Sequence, residues 1–209
     1  MEAIDISMAE LLHAIFSHTT FDETTLLNVD LSFSRFDATV FRRASIVKCV
    51  MDEVEMTDVD MSLGFVDHTS FNDAMFTRVS FHLAMLAGIQ FRNIVARAVR
   101  FSEANLRRAD LSGARLKNCS FANADLANAT FGNAHFEGVD FTGALGLWHP
   151  RLFEHVRGLS SAIGLPWVSP PSPSPAPPHP FPPAIPSPPS RPPPSPPLPP
   201  RIPPPILPM

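Results

Sequence analysis

The chain has 209 residues, 25 prolines, nine glycines, two cysteines and no tyrosine, with a formal net charge of −4. That balance excludes a strongly basic nucleic-acid-binding protein. No run approaches the roughly 18 apolar residues that a membrane-spanning helix needs, so no membrane association is expected. All the prolines lie at position 150 or beyond, so the mean composition describes no real part of the chain.

At the N-terminus, acids stand where a secretory signal carries bases, and the expected location is cytoplasmic. Ser7-Met8-Ala9-Glu10 has the form of a capping box, and Leu11, Leu12, Ile15 and Phe16 follow at helical spacing. The spacing predicts a cap helix over 7–17, within an N-terminal segment 1–18.

From Phe21 the chain repeats every five residues. Stepping by five to Phe141 gives 25 positions with no polar residue and no insertion, and only Ala96 among them is small. Two residues before each of these centres, from Thr24 to Val139, stand only Ala, Val, Ile, Thr, Ser, Cys and Gly. Each unit of five therefore turns one small and one large residue inward. A period of five fits neither a helix nor a flat strand. It fits a chain that turns a corner every five residues, so that four corners close a square coil of twenty.

Ala104-Asn105-Leu106, Ala109-Asp110-Leu111 and Ala124-Asp125-Leu126 match the motif A(D/N)LXX letter for letter. Here the sequence resembles the pentapeptide-repeat family. The resemblance covers 19–145 and implies an all-β, right-handed quadrilateral β-helix of about six coils, roughly 30 Å long at the usual strand spacing. Residues twenty apart should then share a wall. One wall would read Phe21, Phe41, Met61, Phe81, Phe101, Phe121, Phe141, and the next Leu26, Ile46, Val66, Leu86, Leu106, Leu126. The first is almost purely Phe and the second purely aliphatic, a segregation that stacking selects.

The repeat fails at Gly143-Ala144-Leu145-Gly146. Pro150, followed by Leu152, Phe153, Val156 and Leu159, predicts a second cap helix within 146–165, with Trp148 and Trp167 packing over the open end. The segment 166–209 is expected to be disordered and polyproline-biased, since 170–209 holds 23 prolines in 40 positions. Within it, Arg191, Pro194 and Pro197 follow the RxxPxxP form of an SH3 ligand. Pro196, Pro199 and Arg201 follow PxxPxR, so an SH3- or WW-type domain is a candidate partner.

Little in the sequence carries chemistry. Cys49 and Cys119 fall 3.5 coils apart on opposite walls, beyond disulfide reach, and read as buried inert thiols. No Cys/His spacing fits zinc, and there is no glycine-rich phosphate loop, GxSxG or paired-carboxylate cleft, so no metal, cofactor or enzymatic activity is expected. Charge is uneven: 19–73 holds 11 acids against four bases, and 74–145 five acids against eight bases. Some family members resemble DNA in shape and charge and protect gyrase. That mimicry needs acids along most of the rod, whereas here they give way to arginines. Leu63, Phe65, Leu83 and Met85 break the outward polar pattern and stack around one corner, with Met75 and Val95 as a second pair. An exposed apolar patch calls for a cover. The leading expectation is a non-enzymatic scaffold that binds protein partners, itself among the candidates, with a DNA-mimicking inhibitor or protector of gyrase or topoisomerase as the alternative.

Overall fold

Asp5 and every twentieth residue after it form a single parallel stack. In the computed structural model, β1 (Asp5–Ser7) pairs with β3 (Thr25–Leu27), β3 with β5 (Ser45–Val47) and β5 with β7 (Phe65–Asp67). Single bridges continue the wall through Met85, Asn105, Asp125 and Leu145. From residue 5 to residue 145 is 140 residues, or seven turns of twenty, about 34 Å at strand spacing. The structure describes residues 5–148 and 152–166, all within the unit Met1–Ser172.

Ten residues out of phase runs a second parallel sheet. Its order is β2 (Ile15–Ser17), β4 (Arg35–Asp37), β6 (Glu55–Thr57), β8 (Met75–Thr77), β9 (Val95–Arg97), β10 (Arg115–Lys117) and β11 (His135–Glu137). The two remaining walls are held by isolated bridges such as Asp30↔Val50↔Ser70 and Asp60↔Ser80↔Arg100. The fold is an all-β parallel solenoid of four walls.

The corners explain the period. The second residue after each large inward residue, from Met8 after Ile6 to Gly143 after Phe141, shares one backbone state: all 28 such corner residues have positive φ, 24 of them non-glycine. One left-handed residue per five turns the chain, at a cost of roughly 1–2 kcal/mol for an L side chain. The C-terminal half lowers that cost, with Asn93, Asn118, Asn123, Asn128, Asn133 and the glycines 88, 113, 138 and 143 at these corners. Three Asn corners have a Gly directly above: a Cβ on Gly113 would sit 2.3 Å from Asn93 Oδ1, and Gly138 and Gly143 stand likewise over Asn118 and Asn123. Earlier corners instead place Phe33, Lys48, Leu63 and Leu83 in this conformation.

The Asp or Asn of the motif has a local task. Asp30, Asp60, Asp110 and Asp140 each accept, through Oδ1, the amide two residues on, at 2.8–3.0 Å. Asn105 does the same for Arg107 at 3.2 Å. The small inward slot also tolerates polar atoms by a fixed route. Ser34, Thr39 and Thr69 donate to carbonyls 23 residues earlier (Leu11, Phe16 and Ile46), as do the thiols of Cys49 and Cys119 (to Leu26 and Ala96). The Thr24 hydroxyl has no such bond among the described residues; its counterpart would be Met1, which lies outside them.

The large residues fill the interior. Phe21 stacks on Phe41 with centroids 4.7 Å apart, and Phe81, Phe101, Phe121 and Phe141 stack in turn at 5.2, 4.8 and 5.2 Å with near-parallel planes. Met61 interrupts the column, one of a buried methionine group with Met51 and Met56 that fills irregular space.

Both expected cap helices are corrected. Residues 7–17 are not helical: β1 ends at Ser7 and β2 spans Ile15–Ser17. Ile6, Leu11 and Phe16 extend the step of five below Phe21, and Ala9 and Ala14 extend the small slot. A helical reading would leave the amides of 8, 11 and 13 without the carbonyls of Leu27, Asp30 and Ser32 that they meet in the next coil. At the other end, the described residues of 146–165 form no α-helix. They make an eighth coil with longer strides, in which Arg157 bridges His135 and Ile163 bridges Asp140, at offsets of 22 and 23 instead of 20. Their helix content is the 3-10 turn Leu159–Ser161. Phe153, stacked on Phe131 at 5.6 Å, closes the aromatic core, whereas Trp148 is 79% exposed and Trp167 lies outside the described residues.

Two substitutions separate inside from outside. Phe101→Asp puts an unpaired charge in the stacked column and should lower unfolding free energy by at least about 4 kcal/mol. Asn105→Asp keeps its acceptor and faces outward, and should shift it by under about 0.5 kcal/mol. Chemical denaturation checks both, and equal effects would refute the inside/outside assignment. At the corners, Leu63→Asn should raise stability by about 0.5–1 kcal/mol by relieving the left-handed penalty.

Candidate docking surface

The ladder that stacks the coils fixes side chains on the outside as firmly as those within. The Leu63 amide donates to the His82 carbonyl at 2.9 Å, and that of Leu83 to Ser102 at 3.1 Å. The Phe65 amide donates to Ala44 and the Met85 amide to Gly64, at 2.9 and 2.8 Å, and Phe65 and Met85 are bridge partners. Leu63 lies over the corner of one coil and Leu83 over the corner of the next, and Phe65 and Met85 stand beside them on the adjoining wall. All four project outward, with exposures of 48% for Leu63, 42% for Phe65, 42% for Leu83 and 52% for Met85. Gly64 separates Leu63 from Phe65; a Cβ there would come within 3.1 Å of the Met61 carbonyl oxygen. Met75 and Val95 are also bridge partners, on the opposite sheet, with Met75 exposed and Val95 half-buried.

Charged groups along the rod stand in stacked pairs. Arg43, one coil before Leu63, reaches Asp22 at 3.2 Å and Glu23 at 2.9 Å. Arg35 meets Glu55, Arg78 meets Asp58 and Lys117 meets Glu137, each at 2.6 Å and each twenty residues apart. The Arg78 hydrogen bond holds the Asp58 carboxyl below its usual range. For Asp110, burial pushes upward, but hydrogen bonds from Ser112 and Arg92 outweigh it and the carboxyl ends low.

The interior of the described rod is packed with apolar side chains. Both cysteines are free and buried. Burial pushes the Cys119 thiol up to about 11, against weaker lowering by backbone hydrogen bonds at Val99 and Lys117, and pushes Cys49 up as well. Among the described residues no group of three His, Cys, Asp or Glu side chains is placed to hold a metal ion, and no helix is long and apolar enough to cross a membrane. Shallow grooves run along the β2–β11 sheet, one of them edged by Arg97, Arg115, Lys117, His135 and Glu137.

The pentapeptide-repeat family model matches 86–121 and 104–143, with eight copies of the repeat. The rod is a pentapeptide-repeat solenoid. Among solved structures it is similar to HetL, a pentapeptide repeat protein involved in heterocyst differentiation regulation from the cyanobacterium Nostoc sp. strain PCC 7120. The identity is 18%, over 80% of this chain and 93% of that one, with a TM-score of 0.27. It is also similar to QnrB1, a plasmid-mediated fluoroquinolone resistance protein, at 13% identity over 75% of this chain and 91% of that one, TM-score 0.36. A pentapeptide repeat protein of the Arabidopsis thaliana thylakoid lumen is 26% identical over 65% of this chain and 63% of that one, TM-score 0.32. No curated protein matches the chain.

Of the residues singled out in the sequence, Leu63, Phe65, Leu83 and Met85 lie together on the solenoid. The SH3-type motif at Arg191, Pro194, Pro197, Pro199 and Arg201 lies outside the described residues. The left-handed state of Leu63 and Leu83 escaped sequence reasoning. Its signal was the Asn and Gly at the equivalent places in later repeats.

The buried thiol yields a pH dependence. An unfolded thiol ionises near pH 9, and the folded Cys119 near 11. The raised value leaves stability whole below pH 9 and drains it as pH rises towards 11, by on the order of 2 kcal/mol. Cys119→Ala should flatten the stability curve over that window, measured by urea denaturation at stepped pH.

Proposed function

We propose that this chain is a non-enzymatic interaction scaffold: a stiff rod that presents a protein-binding corner, followed by a proline-rich segment with SH3-type ligand motifs. The observation that carries the reading is the corner of Leu63, Phe65, Leu83 and Met85, four large apolar side chains exposed on adjacent coils. A filled interior supports it, since a solid core leaves no dry cavity for a reaction. Two unpaired cysteines suit a reducing, cytoplasmic compartment. The acids of the first half favour a scaffold over DNA mimicry. Asp22, Glu23, Glu55 and Asp58 are paired with stacked arginines, which breaks the continuous acidic stripe that mimicry requires.

Affinity capture with three forms tests this reading: the full chain, a truncation at residue 165, and Leu63→Ser/Phe65→Ser. Partners of the rod should survive truncation and be lost in the double variant, with its circular dichroism unchanged. Partners that vanish on truncation belong to the proline-rich segment. Retention of every rod-bound partner by the double variant would overturn the docking assignment. A gyrase supercoiling assay should show no change when the protein is added.

A further inference from the structure

We propose that the Leu63/Phe65/Leu83/Met85 corner binds a second copy of this chain, the two rods lying side by side and antiparallel. This rests on the docking reading above and names the occupant. The corner column through the patch reads Arg43, Leu63, Leu83, Glu103, each twenty residues from the last. Two apolar groups are thus flanked by opposite charges at equal distances, a cation on one side and an anion on the other. A twofold axis through the centre of the patch reverses this order. Leu63 of one copy then faces Leu83 of the other, and Phe65 faces Met85. The same rotation brings Arg43 level with Glu103 of the second copy, twice by symmetry, as an isologous contact requires. Parallel rods in register would instead set Arg43 beside Arg43 and Glu103 beside Glu103. Glu103 is exposed and enters no ion pair among the described residues, whereas Arg43 is shared with Asp22 and Glu23 of its own rod and turns from them to reach it.

The patch also lies at the right height. It occupies the fourth and fifth of the eight levels that run from Asp5 to the coil of Arg157, so an antiparallel pair overlaps along its whole length. That overlap sets the acid-rich half of each rod, 11 acids against four bases over 19–73, along the base-rich half of the other, five against eight over 74–145.

The backbone adds an independent reason. Leu63 and Leu83 sit at φ of 60° and 57°, where nine of the twelve later corners of this chain use Asn or Gly. Leucine there is both strained and exposed, so neither folding nor solubility accounts for it. Met75 and Val95 on the opposite sheet are the competing pair, but they number two, and Val95 is half-buried.

Asparagine suits the left-handed corner, so Leu63→Asn/Leu83→Asn removes the contact without harming the fold. Sedimentation velocity of the full chain over a concentration series should show a reversible monomer–dimer equilibrium. The double variant should raise the dissociation constant at least tenfold while its melting temperature holds or rises. Glu103→Arg should weaken the dimer about fivefold or more, and Arg43→Glu/Glu103→Arg should restore it, since the swap re-forms the cross-pair. Met75→Ser should leave it unchanged. A monomeric wild type at every concentration, a dimer indifferent to Leu63→Asn/Leu83→Asn, or a swap that fails to restore would each overturn the proposal. If the wild type stays monomeric while Leu63→Ser/Phe65→Ser still loses a captured partner, the second copy is rejected and the docking corner stands. If both fail, the corner itself is rejected.

Discussion

Closure in twenty residues is the constraint on which everything else in this molecule depends. Each coil returns to its starting wall after four corners, so wall amides meet carbonyls of a neighbouring coil, as Leu63 meets His82 and Phe65 meets Ala44, while small-slot amides such as that of Ala44 bond three residues back to Phe41. The corner requires one residue in the left-handed region, and the chain supplies one without interruption from Met8 to Gly143. Inside, the same closure places ring on ring, as in Phe101 on Phe121. Outside, it places guanidinium on carboxylate, as in Arg78 on Asp58. A single inserted residue would undo all three at once, because ladder, core and ion pairs share one register.

The interior was legible in the residues themselves, since burial acts on side-chain identity. The run from Phe21 to Phe141 and the small slots between carry the signal openly. The ends were not legible, for two different reasons. At the N-terminus, Leu11, Ile15 and Phe16 satisfy a helical spacing and a step of five together, and only the carbonyls offered by the next coil decide between them. At the C-terminus the offset grows to 22 and 23, so Arg157 and Ile163 stack correctly while breaking the count that reveals stacking. The corners were hidden more deeply. Backbone state writes itself into sequence as Asn or Gly, and Lys48, Leu63 and Arg78 adopt it under the pull of the surrounding ladder.

The surface follows a different logic from the core. Polar residues at outward positions serve their own coil, as Asp60 does for the Ser62 amide, or the coil next to it, as Arg35 does for Glu55. The apolar corner serves neither. Its four side chains touch water where the repeat would place hydrophilic groups, and two of them hold a conformation that leucine avoids. The scaffold and the pairing proposed for it rest on this one departure from the repeat, and on the opposite charges one coil to each side.

The irregular last coil bears on how the rod avoids growing. Parallel coils stacked in strict register present, at an end, a row of backbone groups ready to recruit another chain, and such edges seed fibres. Here the strides lengthen, Gly158 and Gly164 turn the backbone at positive φ, and Phe153 plugs the aromatic column. An incoming strand would find no twenty-residue template to copy on that side, so polymerisation is blocked there by geometry.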